Sequence, residues 1–266
     1  MSAGGPNVPI GPGAINPYSP PTTPLGGAGI EAGVGYKSAT PLAKAITVLM
    51  GFEIVLALCN DLNSFVTIGV MKRVLAGEVV APAESTAIAL RTGAISALAM
   101  VLSVVVTVLF CLFMPRANRN ARAFGSSMTI SPGWAAGWFF VPVANFWMPY
   151  QAMKEIWQGS DPDPNARPGF FEAPGLIKWW WLTYLLRGFA GPAVYFASRD
   201  ENRTQAAIDL STVTIATSVL TLISAPLAAA TVRAVARRQD ERQKRHPAGT
   251  TPPVPAATAP TTGAAP

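Results

Sequence analysis

The sequence predicts an all-α integral membrane protein with four transmembrane helices, a proline-broken re-entrant or interfacial segment, and disordered tails rich in Pro, Gly and Ala. Two observations support this class. Half of the 266 residues are hydrophobic and only 13% are charged, whereas an ordinary soluble domain has about 25% charged residues. The apolar residues also fall into long runs separated by charged or proline-rich stretches, which is the pattern of membrane spans and loops.

Both ends of the chain are predicted to be disordered tails. Residues 1–41 contain Pro, Gly and small residues without an apolar core, so they cannot bury enough surface to offset the entropy of ordering. Residues 239–266 form the matching C-terminal tail. Because the N-terminal tail lacks the basic start and continuous apolar core of a signal peptide, the first span is expected to be an uncleaved anchor.

Between the tails, residues 42–238 are predicted to form the membrane domain. Each of four apolar runs reaches the roughly 20 residues that cross about 30 Å of hydrocarbon. Only a helix satisfies its own backbone there without closing a barrel. Three consecutive tryptophans, residues 179–181, are expected to form an interfacial belt. The predicted spans are about residues 45–70, 92–114, 179–198 and 206–232.

A further stretch, residues 132–158 (the broken segment), is predicted to enter the membrane without crossing it. Its apolar part contains Pro142 and Pro149, and each interior proline costs a helix about 3 kcal/mol. After Pro149, apolar residues recur at helical spacing up to Gly159, which predicts an amphipathic helix in the interface. The broken segment is therefore expected to be a re-entrant or interfacial hairpin followed by a surface helix.

The positive charges predict that both termini are cytoplasmic. The predicted loop 115–131 carries Arg116, Arg119 and Arg122 without an acid, and the flank after the last span is also rich in Arg. Lys and Arg are enriched in cytoplasmic loops, and four spans place both stretches on that side, whereas five would separate them. The basic C-terminal flank is expected to contact anionic lipid. No nucleic-acid partner is expected, because the sequence has no motif for one.

The broken segment also carries a distinctive motif, GWFFVPVANFWMPYQAMKEIW, which is followed by SDP and then by WWWL. This pattern resembles the bacterial membrane family described as domain of unknown function 4328, over roughly residues 45–235. The resemblance implies a multi-pass protein of the bacterial inner membrane and no particular activity. The candidate family-motif residues are Trp138, Pro142, Asn145, Trp147, Pro149, Tyr150, Gln151 and Trp157.

Two charged residues fall inside predicted spans. Glu53 lies nine residues after Lys44, and Arg187 lies nine residues after Lys178, so each is about 13 Å from its own basic flank. If both spans start at the cytoplasmic face, the charges share a depth where an unpaired charge costs at least about 3 kcal/mol. An intramembrane ion pair of Glu53 and Arg187 is therefore predicted. It is either a latch that fixes helix packing, which the matched charges favour, or part of a substrate or proton path.

A second polar group is predicted near the opposite ends of the spans. Asp61 ends the crossing of the first helix, Arg91 begins the second helix and Asp209 opens the last. The favoured interpretation of this outer polar cluster is a solvated rim with helix capping. A small ion vestibule is the alternative.

The sequence favours a membrane scaffold or regulatory subunit that binds a protein partner or forms a homo-oligomer. Catalytic motifs are absent and the single histidine, His246, lies in the predicted tail, so no enzymatic activity is expected and a lipid-active enzyme is the least favoured class. Cys59 and Cys111 lack metal-ligand spacing, and no cofactor or metal is expected. A small transporter or oligomeric channel is the alternative, because broken helices are typical of transporters.

Overall fold

The computed structural model describes residues 35–163, 174–189, 196 and 202–249, and these residues are helical without β-strands. Two single turns of 3₁₀-helix, Trp138–Phe140 and Ala144–Phe146, connect the third and fourth α-helices. The predicted all-α class is confirmed. The α-helices of the described residues are α1 (Thr40–Leu75), α2 (Pro82–Ala123), α3 (Pro132–Gly137), α4 (Met148–Gly159), α5 (Gly175–Gly188) and α6 (Arg203–Arg245).

Within the described residues, α1, α2 and α6 are long and apolar enough to cross a membrane, by length and composition. They have 36, 42 and 43 residues, and their lengths of about 54, 63 and 64 Å exceed the roughly 30 Å of a hydrocarbon core. The predicted span 179–198 is helical in α5 as far as Gly188. Most of its remainder lies outside the described residues, so the count of four spans stays a prediction.

The helix starts follow from local sequence chemistry. Proline occupies the first turn of α1, α2, α3 and α4, where its missing N–H costs nothing. The side-chain oxygen of Asn202 accepts hydrogen bonds from the backbone N–H groups of Thr204 and Gln205 and so caps α6. The helix predicted between Pro149 and Gly159 is confirmed as α4.

Contacts between side chains show that α1 and α6 are antiparallel. Thr40, the first residue of α1, donates a hydrogen bond to Asp240 near the end of α6. Further along α1, Asp61 accepts a hydrogen bond from Ser218, which is much nearer the start of α6. The two helices therefore run side by side in opposite directions over most of their lengths.

The same reasoning makes α2 antiparallel to α1. Asn63, late in α1, donates to Thr92 near the start of α2, and Lys37, just before α1, contacts Asn120 near the end of α2. We call the end where α1 begins and α2 and α6 finish the basic end, and the opposite end the distal end. The basic residues at this end of α2 and α6 are Arg116, Arg119, Arg122, Arg233, Arg237, Arg238, Arg242, Lys244 and Arg245.

The tightest packing lies at the basic end. Phe113 and Met114 of α2, Met153 and Ile156 of α4, and Val232 of α6 are completely buried. Towards the distal end, large apolar side chains are instead exposed on all three long helices, a pattern that fits lipid better than water. These exposed residues include Phe52, Val55, Leu62, Phe65, Leu98, Val101, Val104, Val219 and Ile223.

The predicted loop 115–131 is wrong over its first half, because α2 continues through Pro115 to Ala123. Pro115 removes a single backbone hydrogen bond. Two residues of the extension, Asn118 and Asn120, are buried and hydrogen-bonded. Packing at the basic end thus extends the helix past the apolar run.

The predicted tails 1–41 and 239–266 are both too long. α1 begins at Thr40, and α6 continues to Arg245. The last turns of α6 are polar, and Gln239 among them is completely buried, so hydropathy alone places the end of the helix too early. Residues 1–34 and 250–266 lie outside the described residues.

The predicted tryptophan belt is wrong for two of its three members. Trp179 is exposed, but Trp180 and Trp181 are only 3% and 7% exposed. The ring of Trp180 stacks on Phe110 of α2 with centroids 5.7 Å apart, and the indole N–H of Trp181 donates to the carbonyl oxygen of Phe146 at 3.2 Å. These two tryptophans therefore join α5 to α2 and to the broken segment.

The amphipathic helix α4 turns its apolar face towards the protein. Ala152, Met153 and Ile156 on this face are completely buried and belong to the main apolar core. The apolar stripe therefore packs on the bundle, and the placement of α4 in the membrane interface stays a prediction. Helix α4 closes the bundle at the basic end.

Gly159→Ala is expected to destabilise the protein by about 1–3 kcal/mol, because an added methyl group overpacks this region. A Cβ at Gly159 would lie 3.0 Å from the Cβ of Ala121 and 3.1 Å from both the Cβ of Ser126 and the Sδ of Met128. Thermal unfolding of the purified variant measures the effect.

The matched control is Gly69→Ala in α1, where an added Cβ has no neighbour within 4 Å. Alanine is favoured over glycine in a helix by about 0.5–1 kcal/mol, so this variant is expected to match or exceed the stability of the wild type. Wild-type stability of Gly159→Ala would contradict the close packing of α4 against the end of α2.

Candidate functional site

Polar side chains line a cavity of about 430 Å³ between α1, α2, α5 and α6. This volume lies in the range of small-molecule sites, about 300–1,000 Å³. Apolar side chains such as Leu56, Ile95 and Leu102 complete the wall. The polar lining consists of Glu53, Asn60, Ser96, Ser103, Arg187, Thr214, Thr217, Ser218 and Thr221.

Glu53 and Arg187 meet at this cavity. The Nη1 atom of Arg187 lies 3.5 Å from the Oε2 atom of Glu53, with the glutamate side chain 8% exposed and the arginine side chain 38% exposed. Charge-assisted hydrogen bonds are shorter, about 2.7–2.9 Å, so the contact is an ion pair without a direct hydrogen bond. The structure thus brings the two residues of the predicted pair together.

The direction of α5 accounts for this meeting. Trp180 packs against Phe110 of α2, whereas Arg187, seven residues later, lines the cavity together with Leu102 and Ser103 of α2. Helix α5 therefore runs opposite to α2 and in the same direction as α1. Arg187 and Glu53 consequently lie at similar distances from the basic end.

Several buried oxygens at and beside the cavity lack a hydrogen-bond partner among the described residues: Glu53 Oε2, Asp61 Oδ1 and Asn63 Oδ1. The other polar atoms of Asp61 and Asn63 are bonded, since Ser218 donates to Asp61 Oδ2 at 2.6 Å and Asn63 donates to Thr92 at 2.8 Å. An unsatisfied buried acceptor costs about 1–3 kcal/mol. Buried oxygens of Glu53, which lines the cavity, and of Asp61 and Asn63 beside it are therefore not satisfied by the part of the chain that the structure describes.

The structure does not bring together the predicted outer polar cluster. Asp61 accepts from Ser218, whereas Asp209 accepts from Gln205 of its own helix at 2.8 Å. Arg91 is exposed, and in the described part of the chain no ion pair joins it to either acid. Because α1 and α6 are antiparallel, Asp209 lies nine residues, about 13 Å, beyond the residue that meets Asp61.

Two of the family-motif residues connect the broken segment to other helices. The side chain of Asn145 lies beside that of Tyr184 of α5, and its Oδ1 atom is buried without a hydrogen-bond partner among the described residues. The ring of Trp157 lies 4.5 Å from the guanidinium carbon of Arg238 in α6, and Arg238 also donates to the carbonyl oxygen of Trp157 and pairs with Asp161. These contacts give part of the motif a structural role in holding the broken segment against α5 and α6.

The remaining motif residues shape the chain locally. Trp138 packs on Trp134 with ring centroids 4.4 Å apart, and Pro149 is buried in the first turn of α4. Tyr150 is partly buried. The exposed motif residues are Pro142, Trp147 and Gln151. No motif residue lines the cavity.

A second polar system, which the sequence analysis missed, lies at the basic end. Asn120 donates to Gln239 and to the carbonyl oxygen of Lys37, both at 2.9 Å. Gln239 in turn donates to the carbonyl oxygen of Ala117 at 2.8 Å and to the hydroxyl of Ser160 at 2.9 Å. We call this set the basic-end network. It ties α2, α6 and the end of α4 to the residues that precede α1.

Three hydroxyl groups converge on one carboxylate beside this network. Tyr36, Ser38 and Thr40 all donate hydrogen bonds to Asp240. Burial, reinforced by the hydrogen bond to Asp240, raises the pKa of Tyr36 above its ordinary value, so its hydroxyl stays a donor throughout the physiological range. We call these residues the N-terminal strap, because they fasten the chain before α1 to the end of α6.

The basic flank of α6 also makes internal contacts. Arg242 donates to the carbonyl oxygens of Asp161 at 2.6 Å and Phe124 at 3.1 Å. Arg238 pairs with Asp161, whereas Arg233 and Arg237 are exposed. Two of the arginines that were assigned to anionic lipid are therefore engaged in holding the fold.

A family model described as Domain of unknown function (DUF4328) matches residues 76–237. The match covers α2 to α5 and most of α6, including Arg187 and the broken segment, and it begins after α1 rather than at residue 45. No curated protein and no solved structure matches the chain. The family match therefore agrees with the motif, while the cavity combines matched helices with Glu53 of α1.

Arg187→Gln is expected to destabilise the protein more than Glu53→Gln. Removing the arginine leaves a buried carboxylate without its partner, at a cost of about 3 kcal/mol. Removing the glutamate leaves a guanidinium that is 38% exposed and lines the cavity. Water in the cavity would hydrate it, so the expected loss is about 1 kcal/mol.

The double variant Glu53→Gln, Arg187→Gln tests whether the two residues act as a pair. It is expected to be more stable than the sum of the single losses predicts, since neither charge is left alone. Unfolding of all four proteins in one detergent measures the coupling. Additive losses would show that the two charges do not interact.

Asp240→Asn is expected to destabilise the protein by about 1 kcal/mol at neutral pH, because it weakens three hydrogen bonds to a partly exposed carboxylate. Glu241→Gln is the matched control, because it removes the same charge from an exposed neighbour. Thermal unfolding at pH 7 compares the two. Equal stability of the two variants would show that the hydrogen bonds of the N-terminal strap do not stabilise the protein.

Proposed function

Because the chain belongs to the DUF4328 family, whose description names no activity, we propose its function from the cavity: it is a multi-pass membrane protein that admits small polar solutes. The observation that carries this proposal is the buried Glu53, paired with a partly exposed Arg187, in the wall of a cavity of about 430 Å³ lined with hydroxyl groups. This observation favours a small transporter or channel, the alternative in the sequence analysis, over a scaffold or regulatory subunit.

The proposed membrane placement follows from the distribution of charged and apolar side chains. Exposed apolar residues lie between the two ends of α1, α2 and α6, and the arginine-rich ends lie together. The tendency of Lys and Arg to stay on the cytoplasmic side supports a bacterial inner-membrane protein with both termini cytoplasmic. In this placement the distal end faces outwards.

The proposal also includes four spans and a re-entrant hairpin. Asn118 contacts the carbonyl oxygen of Ile130 at the basic end, while Phe139 packs edge-on against Phe110 with centroids 5.8 Å apart. Eight residues of α2 separate these levels, which corresponds to about 12 Å. The chain is back at the basic end in α4. A shallow dip of this kind, followed by α5 from the same end, supports re-entry and then a fourth crossing.

The polar lining argues for a role beyond helix packing. A charge at membrane depth costs at least about 3 kcal/mol, and apolar side chains would pack helices without that cost. Hydroxyl groups from two helices, such as Ser96 of α2 and Thr217 of α6, surround the charges. Broken or polar structure at such depth is tolerated where it lines a water-filled cavity, which supports solute access.

A scaffold or regulatory subunit is the second proposal. The N-terminal strap fastens the residues before α1 to the end of α6, so both chain ends leave the bundle side by side at the basic end. A protein partner or a second copy of the chain would meet both ends at once, and the exposed Arg233 and Arg237 would meet anionic lipid there. No catalytic role is proposed.

Thr217→Cys is expected to react about tenfold faster than Val219→Cys with a charged, membrane-impermeant thiol reagent applied to intact cells, because a thiol ionises and meets the reagent only in water. Thr217 lines the cavity, whereas Val219 is 50% exposed outside it. Both variants are made in a Cys59→Ser, Cys111→Ser background, and labelling is followed by gel shift.

Three results separate the parts of the proposal. Fast labelling of Thr217→Cys from outside supports a wet cavity that opens outwards. Fast labelling only after lysis would keep the cavity and reverse the membrane orientation. Equally slow labelling of both variants before and after lysis would refute the solute-admitting cavity and leave the scaffold as the better proposal, for which copurification of a stoichiometric partner is the test.

A further inference from the structure

We propose that the cavity selects small zwitterions, solutes that carry one carboxylate and one ammonium group, and this inference rests on the proposed function. Glu53 and Arg187 would each bind the oppositely charged group of the solute. The argument concerns the chemistry of these two side chains and of the hydroxyl groups around them.

Glu53 lines the cavity, and its Oε2 atom contacts Arg187 without a hydrogen bond. Its side chain is more than nine-tenths buried, and its Oε2 atom has no hydrogen-bond donor among the described residues. An ionised carboxylate accepts about four hydrogen bonds, so this oxygen is a strong site for an ammonium group. The ammonium of a solute carries three donors and would satisfy an acceptor that the protein leaves open.

Arg187 presents the complementary group. Its guanidinium has five N–H donors in a planar fork, and its contact with Glu53, at 3.5 Å, is too long for a charge-assisted hydrogen bond. The side chain is 38% exposed and lines the cavity. The guanidinium can therefore donate two parallel hydrogen bonds to a carboxylate, which is the geometry that arginine favours.

The balance of charge favours zwitterions over solutes with a single charge. The charges of Glu53 and Arg187 cancel, so a lone anion would be repelled by Glu53 and a lone cation by Arg187. A zwitterion has no net charge and meets an opposite charge at each group. A divalent cation would need several oxygen ligands, whereas Glu53 is the only carboxylate among the lining residues that the structure describes.

The neutral lining fits the same class of solute. Thr214, Thr217 and Ser96 carry hydroxyl groups, which both donate and accept hydrogen bonds. Such groups suit the body of a polar solute without adding a charge preference. The volume of about 430 Å³ leaves room for a molecule of amino-acid size together with water.

Equilibrium binding to the full-length chain in lipid nanodiscs tests the inference with radiolabelled probes of matched size. Alanine carries both charges, whereas propionate and ethylamine carry one each; 4-aminobutyrate, butyrate and butylamine repeat the comparison with a wider charge separation. At least one zwitterion is expected to bind about tenfold more tightly than both of its singly charged counterparts, since each of these loses one charge-assisted contact.

Charge-neutralising variants make the assignment specific. Glu53→Gln is expected to lose the preference for the zwitterion and to favour the carboxylate probe, and Arg187→Gln is expected to favour the amine probe. Asp209→Asn is the matched control, because Asp209 bonds to Gln205 away from the cavity lining and should keep the wild-type preference. Size-exclusion profiles and melting curves select the variants that are folded.

The outcomes distinguish this inference from the proposed function. If Thr217→Cys labels quickly and neither zwitterion binds better than its counterparts, the zwitterion inference is overturned and the wet cavity stands. If a zwitterion is preferred but both variants keep that preference, the assignment to Glu53 and Arg187 is overturned. If Thr217→Cys stays unlabelled and no probe binds, both the inference and the proposed function fail.

Discussion

Polar contacts at the basic end, among them the hydrogen bond between the buried amides of Asn120 and Gln239 and that between Thr40 and Asp240, join the ends of α1, α2 and α6, and the alignment of these helices depends on such contacts. In lipid, helices gain little from hiding apolar side chains from each other, so polar contacts and close packing must set their alignment. Within this set, Gln239 also bonds to Ser160. These contacts thus join the long helices and hold the end of α4 against them.

The alignment of the helices at the basic end determines that Glu53 and Arg187 meet further along the bundle. The N-terminal strap sets the start of α1 opposite Asp240 of α6, and Trp180 sets α5 against Phe110 of α2. A helix is stiff and rises about 1.5 Å per residue, so these contacts determine what meets at a greater depth. Glu53 and Arg187 meet because α1 and α5 start from the same end and run in the same direction.

The sequence allowed part of this arrangement to be predicted. Helix α4 was found because Pro149 and Gly159 mark its start and end, and the equal distances of Glu53 and Arg187 from their basic flanks placed both at one depth. Gln239 and Asp240 were assigned to a tail, because hydropathy identifies the part of a helix that fits in lipid and misses an extension held by polar contacts. Their partners lie 79 or more positions away in sequence, and no local pattern indicates such pairs. The predicted outer polar cluster does not form for a related reason. Asp209 and Asp61 lie towards the same end of the bundle, but Asp209 is about 13 Å further along α6 than the residue that meets Asp61.

The two polar systems of the molecule differ in a way that bears on function. At the basic end, the Gln239 amide group donates to two acceptors and accepts from Asn120, and the one atom that is buried there without a hydrogen-bond partner among the described residues of α6 is a donor, Arg242 Nε. Beside the cavity, Glu53 Oε2 and Asp61 Oδ1 are buried without a hydrogen-bond donor among the described residues. Such atoms are costly in any fold, and a latch between helices would gain from satisfying them. Of the described residues with such an unsatisfied atom, only Glu53 lines the cavity, and a carboxylate in that position is better suited to water and to a solute than to holding helices together.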